Sequence, residues 1–275
     1  MYVLDSYFAT SSQCQLRNNS AQQYGGVAFA GSPSLVGLDF SATIAGNRAA
    51  LAGAVAFWAD ASPWNAQGTA GVRVDNPGAL IRNNSAAYGP WVATGAASIA
   101  WIGASSLQVQ PGSTLSPLTF QLLDQLQQLI VREPVGAESV LQLQTFGSAR
   151  GTQLATVARG WANFSGIVVL GAPGAQVELR FGVLGVASVP TVSVYVQLSD
   201  CAAGFGYSAA TTTCVECAPG TVYDNSSMPA ICTACGRAQF SDRFGALTCS
   251  QCPMATYADT QGLSACKTCP GSLFL

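Results

Sequence analysis

The chain contains no histidine in 275 residues. That absence removes Ser-His and Cys-His nucleophile pairs, histidine metal ligands and a histidine pH switch together. Charge is scarce as well: charged residues make up 9% of the chain, with a single lysine, Lys267, and a net charge of −2. No basic stripe exists to neutralise phosphates, so nucleic acid is not expected as a partner. The chain also lacks an apolar run near the ~20 residues that span a bilayer, so no membrane span is expected in it. Its first residues, Met-Tyr-Val-Leu-Asp-Ser, have neither the basic nor the apolar region of a signal peptide. No calcium loop of the D-x-D-x-D-G kind and no phosphate-binding glycine loop is present. No cofactor is expected.

Apolar residues, in contrast, reach 49%, enough for a sizeable core, and the length suits two or three domains. Low charge combined with high hydrophobicity argues against disorder.

Cysteine is concentrated at one end. Nine of the ten cysteines follow residue 200, and eight of them form four Cys-x-x-Cys pairs: Cys214/Cys217, Cys232/Cys235, Cys249/Cys252 and Cys266/Cys269. Two explanations compete. Zinc ribbons use Cys-x-x-Cys pairs about 15 residues apart. Disulfides are the second, and they are favoured. So short a repeat cannot bury a core alone and needs staples, and a ribbon has no reason to recur in register or to include Cys201. The loops between pairs carry Gly, Asn, Asp, Ser and an aromatic residue, as in Cys217-Ala-Pro-Gly-Thr-Val-Tyr223 and Cys252-Pro-Met-Ala-Thr-Tyr257.

These motifs resemble the small cysteine-rich repeats of ephrin receptors and tumour-necrosis-factor receptors, over residues 201–275. Cys235-Gly-Arg237 departs from the pattern by lacking the proline. The resemblance implies bonds Cys201–Cys214, Cys217–Cys232, Cys235–Cys249 and Cys252–Cys266. A crossed scheme, Cys214 with Cys232 and Cys217 with Cys235, stays open. The implied scheme leaves Cys269 unpaired, which leads to the expectation that the chain is shortened at its C-terminal end, as the missing signal peptide does for its N-terminal end.

Four Asn-x-Ser sequons begin at Asn18, Asn83, Asn163 and Asn225. A chain rich in Asn and Ser makes some by chance. In an extracellular protein they become candidate glycosylation sites.

The first hundred residues repeat. Asn19-Ser-Ala-Gln-Gln-Tyr-Gly-Gly-Val-Ala-Phe29, Asn47-Arg-Ala-Ala-Leu-Ala-Gly-Ala-Val-Ala-Phe57 and Asn84-Ser-Ala-Ala-Tyr-Gly-Pro-Trp-Val-Ala-Thr94 align without gaps, placing Val27, Val55 and Val92 level. Leu16, Ile44 and Ile81 precede the repeat asparagines Asn19, Asn47 and Asn84 by three. Recurrence at this distance indicates a solenoid. Short apolar strands joined by Asn and Gly corners suit a right-handed parallel β-helix, in which stacked asparagines bond corner backbone groups. The pattern resembles the F-x-x-N and G-G-A-I/V repeats of polymorphic outer-membrane proteins and of large pectin-lyase-like surface proteins. Only Gly25-Gly26-Val27 keeps the paired glycine, and Ala/Gly-rich low complexity that mimics a repeat is the alternative. Cys14 is expected to be a buried core thiol, or else bonded to an upstream coil.

Between Ser106 and Leu198, alternating segments such as Val140-Leu-Gln-Leu143, Gln176-Val-Glu-Leu-Arg-Phe-Gly-Val183 and Thr191-Val-Ser-Val-Tyr-Val-Gln-Leu198 are separated by turn signals at Pro111-Gly112, Pro134-Val-Gly136 and Ala172-Pro-Gly174. This predicts an antiparallel β-sandwich. Leu118, Leu122, Leu126 and Leu129 also fit helical spacing, but Pro117 and Pro134 bound the run and strands are favoured. Gly160-Trp-Ala-Asn-Phe-Ser-Gly-Ile-Val-Val169 resembles the late strands of immunoglobulin-like modules in invasin-type surface proteins.

The expected protein is therefore all-β: the end of a parallel β-helix over 1–105, an Ig-like β-sandwich over 106–199 and disulfide-rich repeats over 200–275. The expected function is that of an extracellular or cell-surface structural or adhesive module with a protein or glycan partner and no catalysis. A receptor ectodomain is one alternative, and a carbohydrate-binding or carbohydrate-active β-helix is another. For the latter, Trp58, Trp64, Tyr88, Trp91 and Trp101 are candidate sugar platforms, although buried core aromatics are commoner. The carboxylates Asp5, Asp39, Asp60 and Asp75 are widely spaced in sequence and have no lysine near them.

Overall fold

The computed structural model describes residues 2–3, 7–9, 15–30, 35–39, 43–58, 72–75, 81–90, 92–131, 139–145 and 147–270. Cys14, Trp64, Trp91, Asp5 and Asp60 lie outside the described residues, and only the backbone is described for Trp58, Asp39 and Asp75. Among the described residues the protein is all-β, built of strands with no helix.

Among the described residues, the first part of the chain runs repeatedly through three parallel sheets of three or four strands and a parallel pair, Ser20–Ala21 with Arg48–Ala49. One contains Tyr2–Val3, Ala28–Ala30, Ala56–Trp58 and Val92–Thr94 in that order. A second contains Tyr7–Ala9, Leu35–Asp39 and Val72–Asp75, and a third Gln15–Arg17, Thr43–Ala45 and Ile81–Arg82. Each circuit therefore lays its strands beside those of the circuit before. Leu16, Ile44 and Ile81 are Cα partners across the third sheet, and Ile44, in the middle, is fully buried. Tyr24 stacks on Phe57 with ring centroids 4.0 Å apart.

The register differs from the gapless sequence alignment in the third circuit. Val92 pairs with Ala56 and not with Val55, and Ala93 pairs with Phe57. The cause is a corner that needs a left-handed residue. Gly25, Gly53 and Gly89 occupy it with φ of 63°, 62° and 56°. The gapless alignment would place Pro90 there, and a proline ring fixes φ near −65°. One residue is therefore dropped between Ser85, which bridges Arg48, and Tyr88, which bridges Ala52.

Two larger sheets follow, together with an antiparallel pair, Ala149–Arg150 with Val168–Val169. Ala96–Ile102, Leu118–Asp124 and Trp161–Phe164 form an antiparallel sheet. Leu107–Val109 runs parallel to Val192–Leu198, which continues through Gln176–Val183 and Val140–Leu143 to Leu154–Thr156, all antiparallel. Alternation along Gln176–Val183 buries Val177, Leu179 and Phe181. Phe181 from the five-stranded sheet meets Phe120 and Phe164 from the three-stranded one, with centroids 4.4 and 4.9 Å away, so the two sheets share one core. Because Ala96–Ile102 pairs with Leu118–Asp124, antiparallel pairing begins before residue 106.

The leucines of residues 118–129 do not form a helix. Leu118–Asp124 is a strand, Gln127 turns the chain with φ 60°, and Ile130 returns its N–H to the Leu122 carbonyl. Leu126 is left exposed. Proline before the run and an aspartate-capped turn after it outweigh the helical spacing.

Four short hairpins complete the chain: Phe205–Ser208 with Thr213–Glu216, Thr221–Asp224 with Ile231–Ala234, Gln239–Phe240 with Ser250–Gln251, and Thr256–Tyr257 with Lys267–Thr268.

Candidate functional site

Three features organise the molecule, and the sites named from sequence fall on them. The first is a ladder of side-chain amides. Asn18, Gly46 and Asn83 turn the chain with φ of 56°, 69° and 58°, and the next residue in each circuit is a repeat asparagine. Asn47 Oδ1 accepts the Asn19 backbone N–H at 3.0 Å and the Asn19 Nδ2 at 2.9 Å. Asn47 Nδ2 donates to Asn84 Oδ1 at 3.0 Å and to the Leu16 carbonyl at 2.9 Å. Asn84 Oδ1 also accepts the Asn47 N–H at 2.9 Å. Asn47 is wholly buried, and all of its side-chain capacity is spent on neighbouring circuits. Position 46 is left-handed like the other two corners, and a Cβ there would displace the Asn18 carboxamide.

The second feature is the joint where the parallel circuits meet the antiparallel sheets. Asp124, fully buried, accepts four hydrogen bonds. Oδ1 takes the amides of Leu126 and Gln128, both at 2.8 Å; Oδ2 takes the amide of Thr94 at 3.2 Å and Gln128 Nε2 at 3.0 Å. Thr94 ends Val92–Thr94, the last strand of the parallel circuits. Its hydroxyl accepts the Gln125 N–H, and its carbonyl accepts the hydroxyl of buried Tyr88 at 3.0 Å. Burial pushes the Asp124 carboxyl above the ordinary aspartate range, while its donors partly offset that rise. Apolar residues of the circuits, Ala52, Phe57, Tyr88 and Ala93, belong to the same core as Ile99, Leu122 and Phe120. The joint is thus packed and hydrogen-bonded. Sequence reasoning passed over Asp124, yet a signal existed: it is the sole charged residue between Arg82 and Arg132.

The third feature is the row of disulfides. Cys201–Cys214, Cys217–Cys232, Cys235–Cys249 and Cys252–Cys266 are bonded, with Cα–Cα distances of 5.6, 5.4, 5.7 and 5.7 Å. Cys217 and Cys235 are wholly buried. Each bond closes one hairpin, and a common backbone device links each hairpin to the next. The third residue after the opening cysteine is left-handed: Gly204, Gly220, Ala238 and Ala255, at φ 90°, 90°, 64° and 65°. Its carbonyl accepts the N–H of Cys217, Cys235, Cys252 and Cys269 respectively, each at 2.9 Å. Cys269 has a free thiol and stands where the other repeats place their opening cysteine. Glycine is required at 204, where a Cβ would lie 2.8 Å from the Gly245 carbonyl oxygen, and at 220, where it would collide with that of Gly262. The first hairpin is fixed to the preceding sheets through Cys214 N–H to Pro111 O at 2.9 Å and Gly171 N–H to Thr212 O at 3.0 Å.

The remaining candidates fall as follows. Asn18, Asn83, Asn163 and Asn225 are all exposed. Asn163 lies in the strand Trp161–Phe164 and accepts the Thr119 hydroxyl at 2.7 Å, whereas Asn225 follows a strand end in the second hairpin. Trp101 is half-buried against Phe120 and donates Nε1–H to the Ala104 carbonyl. It borders a cleft of about 280 Å³ with Leu107 and Pro117. Asp39 and Asp75, far apart in sequence, are Cα partners in one parallel sheet, an approach that spacing alone did not reveal. Among the described residues no three potential metal ligands cluster, and no helix is long and apolar enough to cross a membrane. The charged pairs are local. The Lys267 ammonium, 2.7 Å from Asp259, holds that carboxyl below the usual range, and Arg180 does the same for Glu178.

No protein-family model matches this chain, and no curated protein matches it significantly. The four consecutive disulfides in the C-terminal stretch fit small cysteine-rich repeats, and they point to folding in an oxidising compartment.

Proposed function

We propose that this chain is a non-catalytic structural or adhesive module of a secreted or cell-surface protein. In this reading residues 1–105 are coils of a right-handed parallel β-helix, 106–199 an Ig-like β-sandwich, and 200–275 cysteine-rich repeats of the ephrin-receptor-like kind. The observation that carries it is the continuity of bonding along the chain. The amide ladder runs through the circuits, Asp124 and Thr94 fasten their last strand to the antiparallel sheets, and Pro111 and Gly171 fasten those sheets to the first disulfide-closed hairpin. A stiff support that presents a surface needs such unbroken coupling, whereas catalysis needs converging polar groups in a cleft. The cleft beside Trp101 is walled mainly by apolar residues and main chain, and the charged residues of the larger cleft along residues 240–250, Asp242 and Arg243, are a solvent-exposed pair.

The test is to immobilise the secreted chain and apply arrays of extracellular glycans and matrix proteins, with product analysis on every ligand retained. Saturable binding with the ligand recovered unchanged is the expected result. Chemical turnover of a bound glycan would overturn the non-catalytic reading in favour of a carbohydrate-active one.

A further inference from the structure

We propose that Asn225 carries an N-linked glycan, an inference that rests on the extracellular reading above. The four sequons differ in what the fold has done with them. Asn18 donates its backbone N–H to Ala45, and its carboxamide oxygen lies against Gly46 in the corner row that Asn83 continues. Asn163 is held in a strand, with its carboxamide oxygen bonded to Thr119. Asn225 is exposed and sits between the paired strands Thr221–Asp224 and Ile231–Ala234, outside the sheet. The loop is held from beside it. Asp224 Oδ1 accepts both the amide and the hydroxyl of Ser226, at 2.9 and 2.6 Å, and Asp224 Oδ2 accepts the Thr233 hydroxyl at 3.1 Å. The sequon Asn225-Ser226-Ser227 is therefore displayed on a hairpin whose shape does not depend on the Asn225 side chain. The neighbouring Met228, 89% exposed, leaves an apolar side chain at this tip that a glycan would shield.

The chemistry is a glycosyl transfer. The Asn225 carboxamide nitrogen attacks C1 of an oligosaccharide carried on a lipid diphosphate. The N–C1 bond forms, the C1–O bond to the diphosphate breaks, and the nitrogen's proton leaves with the lipid diphosphate. The Cys217–Cys232 bond closes around the sequon. A tip position keeps the asparagine open to solvent after that bond forms.

The experiment secretes the full chain from a eukaryotic host, releases glycans with an amidase in ¹⁸O water and maps the peptides after reduction. A second aliquot is mapped unreduced. The expected result is ¹⁸O-labelled aspartate at position 225, and loss of one glycan-sized mass step in Asn225→Gln and in Ser227→Ala with secretion unchanged. An unmodified Asn225 in a sample whose four disulfides have formed would overturn the glycan alone. An unmodified Asn225 with free thiols throughout would overturn the extracellular reading and the glycan together.

Discussion

Replacing Asn47 with alanine is expected to lower the unfolding free energy by about 2–4 kcal/mol, whereas the same change at Asn19 costs less than about 1 kcal/mol. Both residues belong to the ladder, but their surroundings differ. Asn47 is wholly buried between two circuits, and its removal strips the Leu16 carbonyl and a lone pair of Asn84 Oδ1 of their donors. A buried polar group left without a partner bears its full desolvation penalty. Asn19 is exposed, so water replaces what its side chain gave up. Asn47→Asp is not a conservative rescue, since a carboxylate has no hydrogen to donate to Asn84 Oδ1 and would be buried with its charge. Urea unfolding of the three variants reads the difference. Equal losses at positions 19 and 47 would show that burial between two circuits adds nothing to the worth of the Asn47 hydrogen bonds.

Asp124 supports the second large effect. Alanine there leaves the amides of Thr94, Leu126 and Gln128 without their acceptor, an expected loss of about 3–5 kcal/mol. Asparagine keeps the oxygen that serves Leu126 and Gln128 but turns an NH₂ toward Thr94 N–H, so a smaller loss is expected. The pH dependence follows from the raised folded-state value, whose main cause is burial. A carboxyl whose pKa is higher folded than unfolded gives its full stabilising contribution below the unfolded value of about 3.9 and loses it as pH rises through the folded value. Wild type is therefore expected to lose stability relative to Asp124→Asn as pH is raised through that window. Glu178, Asp224 and Asp259, whose values are lowered, act with the opposite sign in both proteins and cancel in the comparison. A difference between the two proteins that stays flat with pH would contradict the buried-carboxylate account.

The sequence made some of this architecture readable and hid the rest, for identifiable reasons. Parallel circuits repeat their corner chemistry, so Asn19, Asn47 and Asn84 stand out in the sequence, and their amides bond from circuit to circuit. The dropped residue before Tyr88 was not visible to a valine-based alignment. The rule in force is conformational, and the signature was Gly25, Gly53 and Gly89 set against Pro90. In the cysteine-rich stretch, regular spacing announced covalent repeats. The left-handed position three residues after each opening cysteine was harder to read, because alanine occupies it twice, at 238 and 255. Residues 118–124 form a strand, as the bounding Pro117 and Pro134 and the alternation of the neighbouring segments indicate. The joint between circuits and sheets was missed because it depends on one carboxylate meeting a strand 30 residues earlier in the chain. The Asp39–Asp75 register was missed for a related reason: the coil that separates them is longer than the first, and spacing counted from the asparagines does not align them.

The most direct test of the central claim, an extracellular disulfide-closed repeat module, is peptide mapping of the secreted chain without reduction, with zinc assayed on the same sample. The account predicts bonds Cys201–Cys214, Cys217–Cys232, Cys235–Cys249 and Cys252–Cys266, with no stoichiometric zinc. Free thiols accompanied by zinc at one ion per four cysteines would contradict it, and would remove the oxidising compartment and the adhesive reading with it.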